Sequence, residues 1–184
     1  MDFNTYKDER LIAYYLQGNK FAFSVIVSRY EQQLINYVYR FVYQKQTAED
    51  IVQDTFIKVL ISINRFNNKF RFRSWLYKIA TNLALNKIRT EKKHRNNRNF
   101  DDVSANIYNN KTPLNIAMAQ EENNRIETAI RSLDTKHRVI FLLRIQQQFS
   151  YKEIANIVKC KETTARSRMF YSVEKLREFL EKKQ

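Results

Sequence analysis

One glycine and one proline in 184 residues leave this chain little with which to build tight turns or to interrupt helices. Glycine supplies the positive-φ conformations that sharp turns need, and proline removes a helix donor and ends the ladder. Few segments alternate apolar and polar residues at the two-residue period of a strand, whereas apolar residues recur three and four apart. An all-α protein follows. The clearest case is a helix expected over Lys20–Val42, in which Phe23, Val27, Tyr30, Leu34, Tyr37 and Phe41 form one apolar stripe facing a core. A shorter helix precedes it over Asp8–Gln17, with Gly18 as its stop.

Further along, Thr47 and Asp50 stand at capping-box spacing and predict a helix start. In phase with that helix, Ile51, Val52, Thr55, Phe56, Val59 and Leu60 point inward, and Asp50, Gln53, Asp54 and Ile57 outward. An acidic and amide strip with an apolar residue beside it, in a chain of net charge +14, points to a docking face. A loop over Asn64–Arg71 leads into a helix from Phe72 to about Thr90, with Trp75, Leu76, Ile79, Ala80 and Leu83 inward and Lys78, Asn82, Asn86 and Arg89 on or near the opposite side. Between Lys69 and Arg98 there are ten Lys or Arg and a single acid, Glu91, interleaved with Phe70, Phe72, Trp75 and Tyr77. Rings on which bases stack, at about 1–3 kcal/mol per base, and cations that follow phosphates are what single-stranded nucleic acid requires. Phe72 and Trp75 are in phase with the core; Phe70 stands in the loop.

The Asn-rich, aperiodic stretch over residues 96–116 holds the one proline, Pro113, and reads as a flexible linker. It divides the chain into two small helical domains, residues 1–95 and residues 117–184. In the second, Ile126, Ala129, Ile130 and Leu133 share one helix face, and Val139, Ile140, Leu142 and Leu143 belong to a helix ending near Gln147. Ser150 and Glu153 form a second capping box. A short helix to Val158, a turn over Lys159–Glu162 and a helix starting at Thr163 or Thr164 make a helix-turn-helix. Its second helix would offer Thr163, Thr164, Arg166, Ser167 and Arg168 to base edges and phosphates, with Ala165, Met169, Val173 and Leu176 packed inward.

A pI near 9.9 calls for a polyanionic partner. No apolar run approaches the roughly 18 residues of a spanning helix, and the first ten residues lack a signal-peptide pattern, so direct membrane insertion is not expected. The lone Cys160 excludes an internal disulfide and suits a reducing cytoplasm. His94 and His137, read as surface residues, have no second ligand at metal spacing. Neither a metal nor another cofactor is expected, and no carboxylate cluster or activated nucleophile suggests an enzyme.

The ordered set Ala48–Phe56 (AEDIVQDTF), Phe72–Asn82 (FRSWLYKIATN), Leu133–Arg144 (LDTKHRVIFLLR) and Thr164–Arg168 (TARSR) resembles a bacterial sigma factor of the extracytoplasmic-function, or group 4, type. The resemblance spans nearly the whole chain. It implies a promoter-specificity subunit that binds core RNA polymerase, recognises −35 and −10 promoter elements and promotes melting. Asp50, Gln53, Asp54 and Phe56 match the segment that docks on the β′ clamp helices, and the second domain would meet the β flap. The loop Asn67, Asn68, Lys69, Phe70 and Arg71 matches the one that captures a flipped −10 base, with Lys78, Asn82 and Arg89 on the helix behind it. Arg166, Ser167 and Phe170 match positions that read the −35 element. An anti-sigma factor, holding a cytoplasmic protein at the inner membrane, is a further implied partner. Two positions depart from the family pattern: Thr135 replaces a frequent proline, and Thr163 replaces a frequent glycine but can serve as an N-cap. A stand-alone helix-turn-helix regulator is the alternative, and it would need neither the acidic helix nor the aromatic loop.

Overall fold

The computed structural model describes residues 2–67, 71–96 and 124–181. Within them the regular elements are all helical: α1 (Asp8–Leu16), α2 (Lys20–Val42), α3 (Lys45–Ser62), α4 (Phe72–Asn96), α5 (residues 124–132), α6 (Thr135–Ile145), α7 (Tyr151–Val158) and α8 (Glu162–Glu181), with short 3-10 turns at Phe3–Thr5 and Ile63–Arg65. The all-α class and the two-domain division at the level of the helices are as the sequence implied. Most of the expected linker and the expected start of the second domain lie outside the described residues.

The first domain is built on α2, whose stripe works as its periodicity requires. Phe23, Tyr30, Leu34, Tyr37 and Phe41 are buried, and Val27 is half-buried against the same core. Gly18 follows α1 at φ +99, a conformation that glycine alone adopts without strain. The packing then fixes α4, the long basic helix, from two sides. The Tyr37 and Thr81 hydroxyls share a 2.8 Å hydrogen bond between α2 and α4, and Glu9 Oε1 on α1 accepts the Phe72 amide at 3.3 Å. That second bond satisfies one of the donors a helix N-terminus leaves open.

Three expected boundaries move. Thr47 is not an N-cap: α3 begins at Lys45, and the buried Thr47 hydroxyl donates 2.6 Å back to Gln44 Oε1. Asp50 Oδ1 instead accepts Gln46 Nε2 at 3.2 Å, so the Thr–Asp spacing closes no capping box. Helix α4 runs on to Asn96, since no breaker stands after Thr90. Helix α8 starts at Glu162, where the Ala165 amide already bonds the Lys161 carbonyl at 3.1 Å; Thr163 is therefore inside the helix and is not its cap. Leu60 and Val173, both expected inward, are exposed, and Ile126 is exposed although Ala129, Ile130 and Leu133, grouped with it on one helix face, are buried. His137 is half-buried, with Nδ1 2.8 Å from Asp134 Oδ2.

The second domain packs α5, α6, α7 and α8 around Leu133, Ile140, Leu142, Leu143 and Ile154, which are fully buried. The Ser150–Glu153 capping box is present: the Glu153 amide bonds Ser150 Oγ at 3.3 Å and the Ser150 amide bonds Glu153 Oε2 at 2.9 Å. Burial works to raise the Glu153 pKa, but the hydrogen bonds from Ser150 and Ser74 outweigh it and hold the carboxyl below its ordinary value. The stability this contributes is therefore complete above pH 4.5, the ordinary value, and is lost as pH falls through the lower folded value. Ser150→Ala should cost about 1 kcal/mol, measured by urea denaturation. Glu153→Gln should flatten the acid limb of the stability profile; an acid limb identical to that of the parent chain would remove Glu153 from the account.

Candidate polymerase and promoter surfaces

The outer face of α3 carries the first candidate surface. Asp50, Gln53 and Asp54 are exposed, and Ile57 (48% exposed) and Ile61 (77% exposed) extend the face with apolar area. Phe56 differs from its three companions. It is 8% exposed and meets Phe23 edge to face at 6.3 Å, so it supports the face from beneath and does not belong to it. Ile61 was not singled out from the sequence, although its four-residue offset from Ile57 was there to be read.

The second candidate surface is where α4 begins. Asn67 and Arg71 are exposed; Asn68, Lys69 and Phe70 lie outside the described residues. Phe66, Phe72 and Trp75 form an aromatic cluster with ring centroids 5.2–5.9 Å apart. Phe72 is fully buried, while Phe66 and Trp75 are half-buried and line a cavity of about 260 Å³ together with Arg65, Asn67, Ser74 and Lys78. Along α4, Lys78 and Asn82 are half-buried and Arg89 is exposed, the latter 3.5 Å from Asn86 Oδ1. The structure thus brings Asn67 and Lys78 to one cavity, while Asn82 and Arg89 lie farther along the helix.

The third surface is the first half of α8. Lys159 takes a left-handed conformation (φ 54) that turns the chain between α7 and α8, so the two helices form the expected helix-turn-helix. Thr163, Arg166, Ser167 and Phe170 are exposed, and Thr164 and Arg168 are half-buried. The Arg166 guanidinium pairs with Glu162 at 2.7 Å and lies 4.6 Å over the Tyr151 ring. Phe170 (65%) and Tyr171 (61%) present adjacent exposed rings. Tyr171 was missed from the sequence because its phase lies just off the Arg166–Phe170 line.

A long basic helix behind an aromatic pocket, an exposed acidic and amide face and a helix-turn-helix stand together in one chain. Residues 26–94 match Sigma-70 region 2, and residues 123–176 match Sigma-70, region 4. The chain is 31% identical to the ECF RNA polymerase sigma-E factor of Haemophilus influenzae, over 96% of this chain and 94% of that protein. This chain belongs to the ECF sigma factors. Its fold is also that of CnrH solved in complex with the cytosolic domain of CnrY (TM-score 0.70, 23% identity, 96% of this chain and 99% of that one). A similar match is the sigma factor RpoE of Bartonella quintana, solved with the anti-sigma factor NepR (TM-score 0.69, 22% identity, 86% and 96%). As an ECF sigma factor it is a promoter-specificity subunit of RNA polymerase, and a regulator acting without polymerase is not favoured. No helix among the described residues is long and apolar enough to cross a membrane.

Proposed function

We propose a division of labour in which the three surfaces act together and none performs chemistry. The exposed Asp50, Gln53 and Asp54 of α3 dock on the β′ clamp helices, with Ile57 and Ile61 adding apolar contact and Phe56 holding the helix in place. The segment Asn67–Arg71 captures an unpaired −10 base beside the Phe66–Trp75 cavity, and Lys78, Asn82 and Arg89 steer the backbone of the melted strand. Stacked bases offset the few kcal/mol that unstacking costs. The exposed row Thr163, Arg166, Ser167 and Phe170 on α8 enters the major groove of the −35 element, with Thr164 and Arg168 toward the phosphates. The second domain contacts the β flap. The chain works in the cytoplasm, and an anti-sigma factor controls its release, in keeping with the partners of its structural neighbours.

The observation that carries this reading is the exposed acidic and amide face of α3 in a chain of net charge +14. DNA binding alone would not use it. Retention of core polymerase by the immobilised full chain tests the reading. The −35 assignment has its own test. Arg166→Ala should lower discrimination between promoter and random duplex by about 1–3 kcal/mol if Arg166 reads a base. If it touches only phosphate, binding should fall evenly across sequences and the salt slope should shrink by about 1. Binding and salt slope that both match the parent chain would place the recognition helix elsewhere.

A further inference from the structure

We propose that Glu162 and Tyr151 are positioning residues for −35 recognition, which hold the Arg166 guanidinium in one pose, with an edge open to a base, before DNA arrives. The inference rests on the −35 assignment above. Arg166 is exposed near the start of α8. An arginine at such a site samples many rotamers, and binding has to halt that motion. Here groups from two helices converge on the one guanidinium. Glu162, one turn earlier on α8, accepts Arg166 Nη2 at 2.7 Å. The Tyr151 ring, at the start of α7, lies 4.6 Å beneath the guanidinium. That ring is itself held. Tyr151 directly follows the Ser150 cap, and Arg144 of α6 lies 4.9 Å over it while its Nη1 donates to the Phe149 carbonyl at 3.0 Å. Arg168, two residues beyond Arg166, makes neither an ion pair nor a ring contact among the described residues.

Fork geometry decides what this pose can do. A guanidinium carries its N–H donors in one rigid plane, and Glu162 occupies only a donor at Nη2. The remaining donors stay available for the paired acceptors that guanine O6 and N7 present in the major groove. Stacking on Tyr151 sets the plane of the fork without using a donor. The Glu162 side chain is 42% exposed, so its carboxylate stands at the start of the recognition helix, where it repels phosphate. The arginine bound to it is thereby kept off the backbone and aimed at a base, while the unrestrained Arg168 follows phosphates. A lone surface ion pair holds little; an ion pair and a fixed ring acting on one group hold more. An acid in the first turn also suits the helix N-terminus by itself, a role that would affect stability and not base choice.

Holoenzyme assembled from the full chain and core polymerase provides the test, bound to a duplex pool randomised across the −35 positions of a promoter mapped by run-off transcription. Glu162→Gln should lower enrichment of the preferred base at the Arg166 position about threefold. It should also tighten binding to random duplex and steepen the salt slope by about 1, as the released arginine reaches a phosphate. Tyr151→Leu should lower the same enrichment about threefold, and Tyr151→Phe, which keeps the ring, should restore it. In an Arg166→Ala background neither Glu162→Gln nor Tyr151→Leu should lower enrichment further, because both act through Arg166. Enrichment and salt slope equal to the parent's in both single variants, with a lowered melting temperature as the one change, would make the two residues helix-end supports and overturn their positioning role. Losses of the same size with and without Arg166 would overturn it as well. An Arg166→Ala variant whose enrichment profile matches the parent's would instead refute the −35 assignment, and the positioning roles with it.

Discussion

Asp50→Lys combined with Gln53→Ala should abolish tight binding to core polymerase while leaving the fold unchanged. Both side chains project from the outer face of α3, and neither is buried. The bond that Asp50 accepts from Gln46 Nε2 at 3.2 Å is exposed, and exposed polar contacts of this kind contribute little to stability. A lysine in place of an aspartate sets like charge against the basic partner that an acidic face selects, at a cost of several kcal/mol at an interface. A loss of that size lowers affinity by a factor on the order of a thousand. Titration against core polymerase reads the effect, and circular dichroism confirms the fold. Phe56→Ala should behave differently. Removing a ring that packs on Phe23 should destabilise the first domain and weaken docking only through that loss. Affinity unchanged in a folded double variant would mean that α3 is not the docking helix.

Leu143→Ala should be the most damaging single substitution for the second domain. Leu143 is fully buried in α6, and its carbonyl accepts the Phe149 amide at 3.1 Å where the chain turns toward α7. Truncating a buried leucine costs about 2–5 kcal/mol, because the lost transfer energy adds to that of the cavity left behind. A domain this small has only about 5–15 kcal/mol to lose. Binding to duplex −35 DNA should fall with stability, whereas the first domain should keep its affinity for polymerase. Leu143→Met, close in volume, should cost less than about 1.5 kcal/mol. Urea denaturation followed by the helical signal reads the loss. Equal midpoints for the alanine and methionine variants would show that Leu143 does not anchor the core.

The sequence was most legible where a single helix settles its own structure. The α2 stripe predicted Lys20–Val42, the span observed, because a three-and-four repeat over 23 residues has no competing period. The Ser150–Glu153 box marked the start of α7 because both halves of the motif are local. The same motif logic failed at Thr47, whose hydroxyl found a nearer acceptor in Gln44, and at Thr163, which lies within the first turn of α8. Helix phase put Phe56 at least partly in the core, but the resemblance grouped it with contact residues, and phase proved the better guide to its exposure. The contacts between the domains were not legible at all. Gln147 reads as a helix-end polar residue and Tyr77 as one more aromatic on a basic helix; only the packing of residues 70 positions apart brings them together.

Run-off transcription with purified core polymerase, the full chain and a promoter template, with start sites mapped, tests the central claim most directly. Transcripts should depend on this chain, begin at one position set by the −10 and −35 elements, and disappear when either element is scrambled. The Asp50→Lys, Gln53→Ala variant should yield none. Duplex binding by the chain alone, with no chain-dependent transcript and no association with core polymerase, would contradict the account.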